Sequence, residues 1–583
     1  MRPSAGWMMV SGLAAATAMA AAAVLEPGEP GAAPGLRLAP RLSMTAPDGP
    51  AAAAAAGNRG DPGAPGDGAR HAGRGASPPP GTTRPPPPPP QPPSPEPPGD
   101  GGPFPPSATP AVCADGAALA AAEVDGLVRA AAGADVGEGM TVAVVDRAGR
   151  VLALFRKAGA DPADGDRAVG LARTGAFFSN DQAPLSSRTV RFISGIHFPP
   201  GIERTPNAAL YGIENTNRGC SLHVAFNQGK AVPPAGSLAG GACQGAAQAG
   251  CGTGPVTGKA DPFDSDPGAV DPGGLPVFRG GAVVGGIGVT GVFPELAEFA
   301  AFTAIASGGF LPAVAAPGVV FIDGVRLPFV RQTRRPDFTS PGSPAGAYAL
   351  GPLAGGCAPD GYLVGPAAGS RLAAAEVDRI VQQAITAAGR TRAAIRLPLG
   401  SRTRMAIAVG DLDGRILALY RMPDATVFSI DVAAAKARNV VYFSAGTPSA
   451  SADLPGVPAG TAVSNRTLSF GSQPFYPPGI DGSGPGPFFA LLEHDRLNPC
   501  TQGSQQAGPD QNGVVFFPGS LPLYRGGALV GGLGVSGDGV EQDDYVSFLG
   551  AQGFVPPEEI WADRVFIGGV HLPFLKFPRN PER

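Results

Sequence analysis

The second half of this chain repeats its first, and no other feature restricts the fold as strongly. LAAAEVD at 119–125 returns at 372–378, and GRVLALFR at 149–156 returns as GRILALYR at 414–421. Ala172–Arg173 and Phe177–Ser179 return as Ala437–Arg438 and Tyr442–Ser444. Arg188–Thr189 and PPGI at 199–202 return as Arg466–Thr467 and PPGI at 477–480. RGGAVVGGIGVTG at 279–291 returns as RGGALVGGLGVSG at 525–537, and FIDGVRLPF at 321–329 as FIGGVHLPF at 566–574. Blocks recurring in one order mean an internal duplication. A period of roughly 250 residues is far too long for a solenoid unit, so each copy is a domain.

The same coarse order of elements reads out of both copies. Val124, Leu127, Val128 and Ala131 fall at helical spacing, as do Val377, Ile380, Val381 and Ala384. Two strands follow, joined by tight turns at Gly149 and Gly414, positions that suit a positive φ. A second helix is expected near 164–178 and 430–443. After a long Pro/Gly-rich insertion comes a strand pair turning at Gly-Gly, then a helix at about 293–307 or 540–552. An extended segment closes each copy. The fold class is therefore α/β of the α+β type: two tandem domains, each a central, mostly antiparallel sheet flanked by helices. The expected domains span 113–335 and 357–583, with a Pro/Gly/Ser-rich linker at 336–356.

This pattern resembles the GlcG/HbpS family. The resemblance rests on the AVVD-turn-strand block, the Ala-Arg helix and the glycine-rich strand pair, and covers about half of residues 113–583. It implies a profilin-like, GlcG-like sheet with helices on it, often assembled into homo-oligomers through sheet and helix surfaces, and haem binding as the family activity. Two departures stand out. Insertions occupy 180–270 and 445–518, and no histidine falls in the first helix or first hairpin of either copy. An axial haem ligand is thus not carried over from the family residue by residue.

An axial ligand must be His, Met, Cys or Tyr. The histidines are His71, His197, His223, His494 and His571. His571 is the best candidate metal ligand, because it sits in a repeated block beside Pro573 and Phe574; Arg326 holds that place in the first copy. His197 neighbours Phe198 and Pro199, opposite Phe475 in the other copy. Arg156 and Arg421 end the second strand of each copy and could grip a propionate or another carboxylate bidentately. Pairing with Asp146 or Asp411 is the structural alternative. Arg188/Arg466 and Arg279/Arg525 are repeated too, and are read the same way.

Gly286-Ile-Gly288-Val-Thr-Gly291 and its counterpart at 532–537 match the dinucleotide fingerprint, but the preceding strand is one arm of a hairpin and no parallel strand follows. Close helix–sheet packing is the preferred reading. Hydrolase and kinase motifs are absent from the sequence. A net charge of −4 without a basic run gives nucleic-acid binding no electrostatic basis.

Residues 1–24 read as a cleaved signal peptide, giving an extracytoplasmic location: periplasmic, secreted or at the cell surface. An uncleaved anchor is the alternative; no later segment is apolar and long enough to span a membrane. Residues 25–112 are Pro/Gly/Ala-rich, too poor in large apolar side chains to fold, and read as a disordered spacer. In an exported chain an even number of cysteines, here 6, suggests disulfides. Repeat position pairs Cys113–Cys220 and Cys357–Cys500, leaving Cys243–Cys251 as a local loop.

The leading functional expectation is an exported binding protein for haem or a similar planar or carboxylate ligand. A non-catalytic interaction module without a small ligand is the second. An enzyme degrading haem or handling a small hydroxy acid is the third.

Overall fold

The computed structural model describes residues 118–190, 222, 271–313, 319–322, 325–473, 475–477, 480, 483–498 and 501–583. The signal segment, the spacer, His71, His197, His223, Cys113, Cys220, Cys243, Cys251 and Cys500 lie outside the described residues.

The first domain holds α1 (Ala121–Ala132), β1 (Thr141–Asp146), β2 (Val151–Arg156), α2 (Asp164–Phe178), β3 (Gly274–Arg279), β4 (Ala282–Thr290) and α3 (Pro294–Ser307). A hairpin of β5 (Val319–Ile322) and β6 (Val325–Pro328) follows, then β7 (Ala347–Leu350). The second holds β8 (Gly361–Val364), α4 (Ala374–Arg390), β9 (Ala406–Gly410), β10 (Ile416–Arg421) and α5 (Phe428–Ser444). Its insertion carries α6 (Pro448–Asp453), α7 (Asn465–Gly471) and α8 (Phe489–Leu497). The domain ends with β11 (Ser520–Arg525), β12 (Ala528–Ser536), α9 (Val540–Gly550), β13 (Phe566–Ile567) and β14 (Val570–His571).

Each domain builds a five-stranded antiparallel sheet, in the order β3-β4-β1-β2-β7 in one and β11-β12-β9-β10-β8 in the other. The registers agree: Thr141 faces Thr290 as Ala406 faces Ser536. The repeated glycines explain how helix meets sheet. A Cβ on Gly286 or Gly288 would overlap the carbonyl oxygens of Ala172 or Ala168 in α2, and Gly532 and Gly534 stand in the same relation to Ala437 and Ala433 of α5. Helix backbone rests directly on strand backbone there, so the fingerprint is a packing device and not a phosphate cradle. Gly149 and Gly414 turn the first hairpins at φ 85° and 89°.

Two expectations change. The closing segment of each copy is not a single extended run but a hairpin, Phe321 facing Arg326 and Phe566 facing His571. In the second copy Gly568 and Gly569, at φ 62° and 79°, make the turn that a two-residue hairpin needs. Residues 336–356 are also more than a linker. They contain β7, the edge strand of the first sheet. AYALGPLAGG at 347–356 is itself echoed by GYLVGPAAGS at 361–370. The Tyr348 hydroxyl donates to Asp125 on α1 as the Tyr362 hydroxyl donates to Asp378 on α4. The Gly355 N–H donates to the Leu119 carbonyl as that of Gly369 donates to Leu372. The first domain thus takes its edge strand from residues after its last hairpin, the second from residues before its first helix.

The domains touch through the end of α2. Phe178 stacks on Phe428 at 4.3 Å, and the Val427 N–H donates to the Phe177 carbonyl. The Asn180 amide donates to the Ile395 carbonyl (3.2 Å), and the Gln182 amide to the carbonyl of Leu397 (3.0 Å). Arg396, fully buried, reaches Gln182 Oε1 of the first domain together with Asp424 and Asp538 of its own.

Two outcomes are expected. Gly288→Val should destabilise the chain by about 1–3 kcal/mol through overpacking; Gly126→Ala, with open space at its Cβ inside α1, should stabilise it by about 0.5–1 kcal/mol. Urea unfolding compares them. A chain ending at residue 335 should yield a less protected first domain than one ending at 356, read by hydrogen exchange in β2.

Candidate functional site

Most repeated charged residues serve the frame. Arg173 and Arg438, buried in α2 and α5, donate to the carbonyls of the turn glycines Gly149 (2.9 Å) and Gly414 (2.6 Å). Asp146 accepts from Arg150 (2.9 Å) and the Gly356 N–H (3.0 Å), and Asp411 from Arg415 (3.0 Å) and the Ser370 hydroxyl (2.7 Å). Each ties a turn to the segment following an edge strand. Arg188 grips Glu298 with two nitrogens, and Arg466 pairs with Asp544. Arg279 and Arg525 pair with Glu123 and Glu376 on the first helix of each copy.

Arg156 and Arg421 do not come together, and neither is among the lining residues of the cleft described below. Arg421 is buried and donates to the carbonyls of Ala425, Pro359 and Ala358, which leaves it no fork for a ligand carboxylate. Arg156, half-buried, donates to the Pro162 carbonyl at 3.1 Å. Arg326 is exposed on the β5–β6 hairpin. His571 is exposed on the β13–β14 hairpin, with its ring against Phe566 (centroids 3.5 Å apart). Its Nδ1 lies 2.9 Å from the Asp563 carbonyl oxygen. A carbonyl only accepts, so Nδ1 carries the proton in this contact. His494 is half-buried on α8, its Nδ1 3.4 Å from the Asn498 amide. Cys357 is disulfide-bonded; the expected partner Cys500 lies outside the described residues.

A cleft of about 680 Å³ opens in the first domain where the end of β4, the first two turns of α2 and the first turn of α3 converge. Asp135, Asp164 and Asp271 bring carboxyl groups, and Arg167 is the one cation among the described lining residues. Burial raises the Asp164 carboxyl above its ordinary value, against the pull of Arg167. At the rim the Phe293 and Phe338 rings meet edge to face, centroids 5.8 Å apart, yet remain 70% and 62% exposed.

The register shared by the domains puts Lys436 where the first has Leu171, Asp543 where it has Ala297, and Phe517 where it has Asp271. Here an ion pair fills the space. The Lys436 ammonium, fully buried, donates to Asp543 Oδ2 (3.0 Å) and the Val535 carbonyl (2.7 Å), and stands 4.3 Å from the centroid of the Phe517 ring. Burial, only partly offset by Lys436, pushes the Asp543 carboxyl up to about 7. Burial lowers the Lys436 pKa. The second oxygen of Asp543 has no hydrogen-bond partner among the described residues. Sequence reading missed this pair and the cleft. The signal was available: both sit at positions where otherwise matching blocks diverge in charge.

Residues 375–551 match the family model described as "Haem degrading protein HbpS-like". Among the solved structures to which the chain is similar are two haem-related or family-model proteins. One, titled "Crystal Structure of PduOC:Heme Complex", is 23% identical, with 32% of this chain and 95% of that chain covered and a TM-score of 0.21. The other, the Klebsiella pneumoniae protein ORFY, family-model DUF336, is 18% identical, with 30% and 86% covered and a TM-score of 0.20. No curated protein matches the chain. Among the described residues no helix is long and apolar enough to cross a membrane.

The first domain supplies the control for the buried pair. Lys436→Leu with Asp543→Ala copies its Leu171 and Ala297. That double variant should be as stable as the parent or more so, whereas Asp543→Ala alone should cost about 3–5 kcal/mol by stranding the ammonium. In the parent the fold holds the Asp543 proton more tightly than the unfolded chain does. Stability relative to the double variant should therefore fall as pH rises from 3.8 toward 7. Urea unfolding across that range measures both.

Proposed function

We propose that this chain is a haem-binding protein of the HbpS-like type, acting outside the cytoplasm, with the iron held by His571. The family match over 375–551 carries the haem-type reading. The first domain's matching strand order supports reading it as a second copy of the same fold.

Haem needs an axial donor, an apolar surface for the ring and cations for its propionates. The cleft of the first domain does not fit: its described lining has no His, Met, Cys or Tyr, and its acids outnumber its one arginine. The β13–β14 hairpin fits better. Metal-bound histidines commonly donate their second ring N–H to a carbonyl, and the Asp563 carbonyl takes that role for His571. Phe566, 59% exposed beside it, offers an apolar ring face. Arg326, opposite Phe321 in the first domain, offers a guanidinium at the matching place and no axial ligand, so the expected stoichiometry is one haem per chain. A bound haem would supply the iron's ligand-binding and redox chemistry; the protein's part would be to hold it through His571 and fix the tautomer of that ring. The disulfide at Cys357 supports an oxidising compartment.

Haemin titration of the full chain should give a saturable Soret shift at one equivalent, and His571→Ala should abolish it while leaving the unfolding curve unchanged. No shift in the parent would remove the haem reading. A shift surviving in His571→Ala would remove the ligand assignment.

A further inference from the structure

We infer that the cleft of the first domain is a second site, independent of haem, that takes a small organic ammonium carrying an apolar or aromatic group. The two copies supply the argument. At one position of a shared frame, the second domain shows how this fold recognises an ammonium: carboxylate on one side, backbone carbonyl on another, aromatic ring below. Lys436 provides that ammonium from within, bonded to Asp543 and Val535 and set over Phe517.

The first domain keeps the frame and omits the plug. Leu171 stands at the lysine's place, and the cleft opens beside it. The recognition elements are redistributed rather than lost. Asp271 occupies the position of Phe517, and Asp164 that of Ser429. The aromatic surface moves to Phe293, where the second domain has Gly539, and to Phe338. Among the described lining residues, three carboxyl groups against one guanidinium favour a cation over an anion. Two large rings left mostly in water at the rim gain by covering an apolar group, and their faces attract an ammonium. The volume suits a small molecule, since ligand pockets run about 300–1,000 Å³. Arg167 at the edge sets a limit on how much positive charge the ligand carries.

The test is calorimetric titration of the full chain with benzylammonium and, separately, with phenylacetate. Benzylammonium should bind saturably at one per chain and phenylacetate should not. Asp164→Asn with Asp271→Asn should weaken benzylammonium about tenfold or more, the loss expected for a charge-assisted contact. Leu171→Lys, which imports the second domain's plug, should abolish binding. Where Leu171→Lys fails to fold, the Asn pair decides. The haemin Soret shift should be unchanged in the Asn pair, which keeps this site separate from His571. Absence of saturable benzylammonium binding, equal binding of phenylacetate, or indifference to the Asn pair overturns the inference.

Discussion

Everything in this molecule depends on two backbones meeting without side chains between them. In each domain the central helix lies on the long glycine-rich strand so closely that a methyl group at Gly286, Gly288, Gly532 or Gly534 has no room. This contact fixes the depth and angle of the helix. It also accounts for residues set around it. Arg173 and Arg438 leave the buried side of the helix and reach the turn glycines of the first hairpin, so helix, strand pair and turn are tied at one place. Each guanidinium is buried with its Nε donating to a turn carbonyl, and Arg438 donates further to Asn512 and the Leu222 carbonyl; burial without such acceptors would be costly.

With the helix held so rigidly, divergence has been confined to the surroundings. The same corner of the frame is an open, acidic, aromatic-rimmed cleft in one domain and a sealed Lys436–Asp543 pair in the other. A buried pair of this kind adds little net stability, since desolvation of both groups offsets their attraction. Its consequence is occupancy: the space is closed to outside ligands and the local pKa values are displaced. One architecture thereby offers two different chemical surfaces on a single chain.

The domains are not beads on a string. Residues 336–356 complete the first sheet before the chain enters the second, and the end of α2 inserts Phe178 against Phe428. Arg396 then collects Asp538, Asp424 and, across the boundary, Gln182. Polar contacts buried at this depth favour one arrangement, because a shifted boundary leaves charges without partners.

The duplication was written plainly in the sequence, and with it came the repeated helices, the first and the Gly-Gly hairpins, the mostly antiparallel sheet and the packing role of the glycines, because side-chain periodicity and glycine placement are local quantities. The partnership of Arg188 with Glu298 or of Arg279 with Glu123 was not legible, and Arg421 looked like a ligand hook until its carbonyl partners were seen. Pairings between residues more than a hundred positions apart depend on how helices settle on the sheet. The same holds for β7: AYALGP and GYLVGP echo each other in the sequence, but only the folded sheet decides that the earlier one closes the domain behind it. The cleft belongs to the same class. Its walls come from five separate stretches between Asp135 and Thr339, and a cavity arises only where tertiary packing brings such stretches together and leaves the space between them unfilled.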